Sequence, residues 1–101
     1  MRLQHPTGLA AEERAAQFLS QQGCRIVARN WHCKSGEIDL VAWDGAVCVF
    51  VEVRLRNSEQ FGGAAASITA SKQRKLLLSA QTYLQAEHSG EPECRFDAVL
   101  I

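Results

Sequence analysis

The sequence predicts an α/β sandwich, a mixed β-sheet with helices packed on it, in the order α-β-β-β-α-β. Three observations lead there. Two stretches place apolar residues at helical spacing, one before and one after a run of strand-like segments. Two neighbouring segments alternate with period two around Asp44-Gly45, a strong hairpin signal because both residues tolerate positive φ. After the second helical stretch, the chain returns to strand-like composition.

The elements follow in order. Leu9 to Gln22 predicts the first helix, with Gly23 as its stop. Cys24 to Arg29 predicts a short strand, Glu37 to Trp43 a second and Ala46 to Arg56 a third. Asn57 to Ala65 contains Gly62-Gly63 and predicts a flexible loop, not a domain boundary, since neither side could fold alone. Ala70 to Glu87 predicts a long helix capped by Thr69, with Leu76, Leu77, Ala80, Tyr83 and Leu84 at helical spacing. Ser89 to Glu93 predicts a turn and Arg95 to Ile101 a last strand, which reaches the chain end without a turn signal. Residues 1–101 therefore predict one domain.

Composition narrows the class. Apolar residues make up 47% and charged residues 22%, ordinary for a globular chain. Eleven basic and eleven acidic side chains cancel. This counts against tight non-specific DNA binding, although a local basic patch is compatible with a neutral chain. Cys24, Cys33, Cys48 and Cys94 form no C-x-x-C pair and no Cys/His ligand cluster, which speaks against a zinc site. Met1 to Ala16 is polar and has no apolar run, so the expectation is no signal peptide, no membrane span and a cytoplasmic protein with free thiols. His5, His32 and His88 read as surface residues, and Trp31 and Trp43 as packing residues. No Ser-His-Asp arrangement or phosphate-cradling glycine loop is present.

Side chains alternate across a strand, so parity assigns faces. With an even-length loop at Asp44-Gly45, one face carries Ile38, Leu40, Ala42, Val47, Val49, Val51, Val53 and Leu55, all apolar. The other carries Glu37, Asp39, Val41, Trp43, Cys48, Phe50, Glu52, Arg54 and Arg56. Asp39 and Glu52 become neighbours one diagonal step apart, close enough to share a Mg²⁺ ion. The competing reading is a solvated sheet face. Val41 and Phe50 on that face argue for partial cover, and three adjacent acids need compensation.

In the first helix, Leu9, Ala15, Ala16 and Leu19 form one apolar arc, and Glu12 falls in its middle. A charge there needs a partner or a purpose. Glu12 is either paired with Arg54 or another cation, or is a third acid over a metal site.

The residues Ala11-Glu12, Gly23, Arg29-Asn30-Trp31, Gly36-Glu37-Ile38-Asp39-Leu40, Phe50-Val51-Glu52-Val53-Arg54, Lys72 and Arg95-Phe96-Asp97 resemble the YraN-like family of small bacterial proteins. The match spans nearly the whole chain, and the G-E-I-D-L plus F-V-E-V block is its specific part. That family is similar to archaeal Holliday junction resolvases, within the restriction-endonuclease-like PD-(D/E)XK fold. The resemblance implies that Asp39 and Glu52 bind Mg²⁺ or Mn²⁺, with the Val53 carbonyl facing the metal and Glu12 as the acid from the first helix. Arg54 stands where the motif has lysine. Arginine keeps the charge but is always protonated, so it cannot serve as a base.

The expectation that follows is a Mg²⁺-dependent endonuclease-like hydrolase acting on DNA phosphodiester bonds, with branched DNA as the substrate to test. Asp39, Glu52, Arg54 and Glu12 are its candidate catalytic residues, and Arg56 and Lys72 bind flanking phosphates. Arg74 and Lys75 read as surface charges. One alternative is a nucleic-acid-binding module with a degenerate site. Another is a protein-interaction domain using Val41, Trp43 and Phe50. No membrane partner is expected, and the likeness to resolvases admits a homodimer.

Overall fold

The computed structural model describes residues 6–54 and 68–101, with side chains from residue 10 onward. The elements are α1 (Pro6–Gln21), β1 (Arg25–Cys33), β2 (Gly36–Asp44), β3 (Val47–Arg54), α2 (Ala70–Glu87) and β4 (Cys94–Leu100). The four strands form one sheet in the order β1-β2-β3-β4. The first three are antiparallel, and β4 runs parallel to β3. A parallel neighbour needs a crossover, and α2 lies between β3 and β4 in the chain. This is the expected mixed sheet flanked by helices, in the order α-β-β-β-α-β. The expected loop, Asn57 to Ala65, lies outside the described residues.

The helix ends form where their capping residues stand. Gly23 has φ 94°, and its N–H donates to the Ser20 carbonyl while the Cys24 N–H donates to that of Leu19, each at 3.0 Å. These two bonds satisfy carbonyls that the last turn of α1 would leave unpaired. At the start of α2, the Thr69 hydroxyl accepts the Lys72 N–H at 3.2 Å.

Each face of the sheet has its own core. On one face Ala11, Ala15, Ala16 and Leu19 of α1 pack on Leu40, Ala42, Val49, Val51 and Val53. The small alanines let the helix backbone approach the strands. On the other, Ala80 and Tyr83 of α2 pack on Ile38, Val41, Cys48 and Phe50. Phe50 meets Tyr83 edge-on at 5.9 Å and stacks on Phe96 at 5.4 Å. Trp31 meets Tyr83 at 5.3 Å, and Trp43 lies 5.2 Å from the His88 ring. Both tryptophans are thus packing residues. His88 caps the C-terminal end of α2 and is half-buried, unlike the surface residue expected. Val41 and Phe50 are fully buried, so they offer no surface to a protein partner.

Two details of the hairpin differ from the parity expectation. The loop is Gly45–Ala46, not Asp44-Gly45, because Asp44 pairs with Val47. Gly45 takes φ 61° as the first loop residue, where a type II′ turn places glycine. Both loops have even length, so the faces of β3 are unchanged, but the register moves. Leu40 now faces Val51 in the last pair of the ladder, and Asp39 and Glu52 lie just beyond it. Alternation also fails in β2. Leu40 belongs to the α1 core, whereas Ile38 packs with Val41 in the α2 core. Asp39 sits at that break.

Candidate functional site

The break in β2 has a matching irregularity in β1. Asn30, which falls between the pairs Arg29–Leu40 and Trp31–Ile38, has φ 50°. Among the described non-glycine residues it alone has positive φ. Asparagine tolerates this region better than most side chains do. The Asn30 amide then donates to the Glu12 carboxylate at 2.9 Å. This is the partner that half-buried Glu12 needed. It is an amide on β1, not the Arg54 cation.

Asp39 is a buried carboxylate on the other side of the break. Its Oδ2 accepts the backbone N–H of Val53 at 2.8 Å. An aspartate side chain therefore takes a β3 donor at the place where the β2–β3 ladder ends. This bond offsets part of the cost of burying the charge.

Glu52 comes up beside it. Its carboxyl group is within hydrogen-bonding reach of Asp39. Burial and the Asp39 charge push Glu52 up to about 7, against the opposing pull of Arg54 and Lys72. Two carboxyl groups this close hold a proton between them near neutrality, or need a cation. The Arg54 Nη2 supplies one cation through an ion pair with Glu52 Oε2. The Arg54 Nε is buried without an acceptor, so the guanidinium is only partly satisfied.

Lys72 occupies the first turn of α2 and acts electrostatically on Glu52. That turn contains no acid, although the helix dipole favours anions there. An open groove of about 750 Å³ adjoins the site, lined among others by Glu52, Gln73, Arg74, Leu77 and Phe96. Arg74 is exposed, as the sequence predicts, and lines this groove together with Glu52. Its three-residue distance from Leu77 on α2 was the available signal.

Other expected members do not join. Glu37 is exposed and pairs with His32 across β1 and β2 at 3.5 Å, so the acid row reduces to two. Glu12 belongs to the Asn30 contact, and the described residues hold no cluster of three or more acid, histidine or cysteine ligands. Arg56 lies outside the described residues. No described helix is long and apolar enough to cross a membrane.

Fold and site together define a small α/β protein with a carboxylate pair, Asp39 buried and Glu52 half-buried, at the end of a β-hairpin and flanked by cations. The model of Uncharacterised protein family UPF0102 matches residues 11–101. A UPF0102 protein of Neisseria meningitidis is 52% identical over 101 residues, covering 100% of this chain and 88% of its own. One from Nitrosomonas europaea is 54% identical over 94 residues, covering 93% and 79%. One from a Janthinobacterium strain is 52% identical over 92 residues, covering 91% and 74%. The chain belongs to the UPF0102 family, the YraN-like family that its G-E-I-D-L and F-V-E-V blocks resemble.

Proposed function

We propose that this chain is a divalent-metal-dependent endonuclease-like protein acting on DNA phosphodiester bonds in the cytoplasm. The observation that carries this reading is the contact between the Asp39 and Glu52 carboxyl groups across the hairpin end. The donor set suits Mg²⁺ or Mn²⁺: two hard oxygen ligands beside an open groove, with room for waters and a phosphate. A bound ion would lower the pKa of a water and screen the phosphate charge.

The protein's own groups divide the remaining work. Asp39, fixed by the Val53 N–H, and Glu52 would hold the ion. Arg54 leaves Glu52 for the phosphate, where its fixed charge offsets the negative charge developing in the transition state. Lys72 and Arg74 bind flanking phosphates, and Arg56 is given the same role on its sequence position alone. Glu12, expected from the first helix, is held by the Asn30 amide. Likeness to junction resolvases makes branched DNA the substrate to try, and two copies of the site on one junction would suit a homodimer.

The test is cleavage of a branched duplex with Mg²⁺ or Mn²⁺. Asp39→Ala and Glu52→Ala are each expected to lower cleavage by about 10³-fold or more, the scale for losing a group central to the transition state. Wild-type rates in either variant would remove the site.

One observation favours a second reading. Arg54 replaces the lysine of the motif and is engaged by the acid it should assist. A binding module with a silent site would bind branched DNA in gel-shift assays yet leave it intact with either metal.

A further inference from the structure

Among the described residues, β4 is the last strand of the sheet, and no strand pairs with its outer edge. Hydrogen bonds fix its inner edge. The Cys48 N–H donates to the Glu93 carbonyl and the Ile101 N–H donates to the Arg54 carbonyl, each at 2.8 Å. Odd-numbered residues of this segment therefore turn their backbone polar groups towards β3. Those of Cys94, Phe96 and Ala98 turn outward.

The side chains along this edge are as ordered as its backbone. Phe96 lies on the α2 side, stacked on Phe50 at 5.4 Å and still 45% exposed. Arg95 and Asp97 alternate with it and share the opposite side with Val99, which packs against the α1 core. Arg95 forms exposed ion pairs with Asp97 and Asp44, each at 3.0 Å. Apolar surface flanks the strand on both sides. Leu77 and Phe96 line the groove beside Glu52, and Phe18, Val99 and Ile101 line a second groove towards α1.

Charges on an edge strand ordinarily deter pairing. Here they deter the neighbouring registers and favour one. In an antiparallel pair of two β4 strands centred on Phe96, Arg95 of each copy faces Asp97 of the other. A shift of two residues either way sets Arg95 against Arg95 or Asp97 against Asp97, and like charges directly opposite are destabilising. The centred register also brings the outward backbone groups of Phe96 against each other, and those of Cys94 against those of Ala98. These become the hydrogen-bonded pairs of an antiparallel ladder.

We propose that β4 pairs antiparallel with β4 of a second copy of this chain, about a two-fold axis at Phe96, joining the two four-stranded sheets into one. The two Phe96 rings meet on the α2 face, and the groove beside Glu52 gains a wall from the other copy. Glu52 lies beside Ala98 in the β3–β4 register, so both acid pairs open on the same face. Strand spacings of about 4.8 Å and a rise of about 3.3 Å per residue set them on the order of 20 Å apart. The pairing rests on β4 alone. That the two acid pairs then act on two strands of one DNA rests on the function proposed above.

The test is sedimentation equilibrium of the full chain without DNA or metal, so its failure leaves the acid pair untouched. The wild-type chain should dimerise. Asp97→Arg and Arg95→Glu should each raise the dimer dissociation constant roughly tenfold or more, because each sets like charges opposite. An equimolar mixture of the two variants should recover the dimer, since each then meets its complement. Ala98→Cys, at an exposed position, should on mild oxidation form a disulfide with Cys94 of the second copy, read by peptide mapping. Within one chain those positions lie roughly 13 Å apart along the strand, too far to bridge. Four outcomes overturn the proposal: a wild-type chain that stays monomeric up to millimolar concentration, reversed variants that associate as the wild type does, a mixture that stays monomeric, or no 94–98 disulfide. The first is read on the wild-type chain and needs no folded variant.

Discussion

At the residue scale, Glu52 is where burial and charge conflict most sharply. An unfolded glutamate loses its proton near 4.5, whereas folded Glu52 keeps it up to about 7, first because of burial and second because of Asp39. Between these values the folded chain binds more protons than the unfolded one, so this group makes stability fall as pH rises from about 4.5 to 7. Glu52→Gln should flatten that slope and raise stability at pH 7 by about 1 kcal/mol, after discounting for solvent screening and the lost Arg54 pair. Urea denaturation of both proteins at pH 5 and pH 7 measures it. A steeper slope in the variant would contradict the assignment. Parity made the Asp39–Glu52 pairing legible in the sequence, since both candidate loops have even length. The Glu12–Asn30 contact was not legible, because it depends on positive φ at Asn30, which no periodicity encodes. The same local break moved Ile38 to the opposite core and drew Asp39 towards the Val53 amide.

At the element scale, the two helices and four strands were readable from their periods and marked ends, except that β1 runs past the expected end at Arg29 to Cys33. Gly23 and Thr69 do at the ends of α1 and α2 what their residue types allow. The hairpin register was harder. Asp44-Gly45 and Gly45-Ala46 are both acceptable loops, and the choice rests on matching the strand twist with glycine in the first loop position. That single step ends the ladder at Leu40–Val51, just before Asp39 and Glu52. The partial cover that Val41 and Phe50 predict for that face of the hairpin is supplied by α2. Phe50 anchors that cover, fully buried between Tyr83 and Phe96. Phe50→Ala should cost about 3–5 kcal/mol in chemical denaturation, because it removes apolar burial and leaves a cavity. A loss below about 1 kcal/mol would mean that the second core contributes little to stability.

At the scale of the whole molecule, a zero net charge conceals an uneven distribution. The start of α2 carries Lys72, Arg74 and Lys75 without an acid, next to the Asp39–Glu52 pair and the groove. If phosphates bind there, affinity for branched DNA falls with salt as counterions are released. Lys72→Ala should weaken binding across sequences and lower the slope of log affinity against log salt by about 0.9, the value for one lost phosphate contact. An unchanged slope would place the nucleic acid elsewhere. The three-layer arrangement explains how so small a chain supports such a site. Cores on both faces hold β2 and β3 rigidly, and the carboxylates emerge only where the ladder ends. Divalent-metal binding by this pair, proposed above with Arg54 now bound to Glu52, is tested most directly by a crystal structure of the protein soaked in Mn²⁺. The expected result is anomalous density between Asp39 and Glu52, with Arg54 turned away from Glu52. Arg54 still paired with Glu52, and no density between the acids, would contradict it.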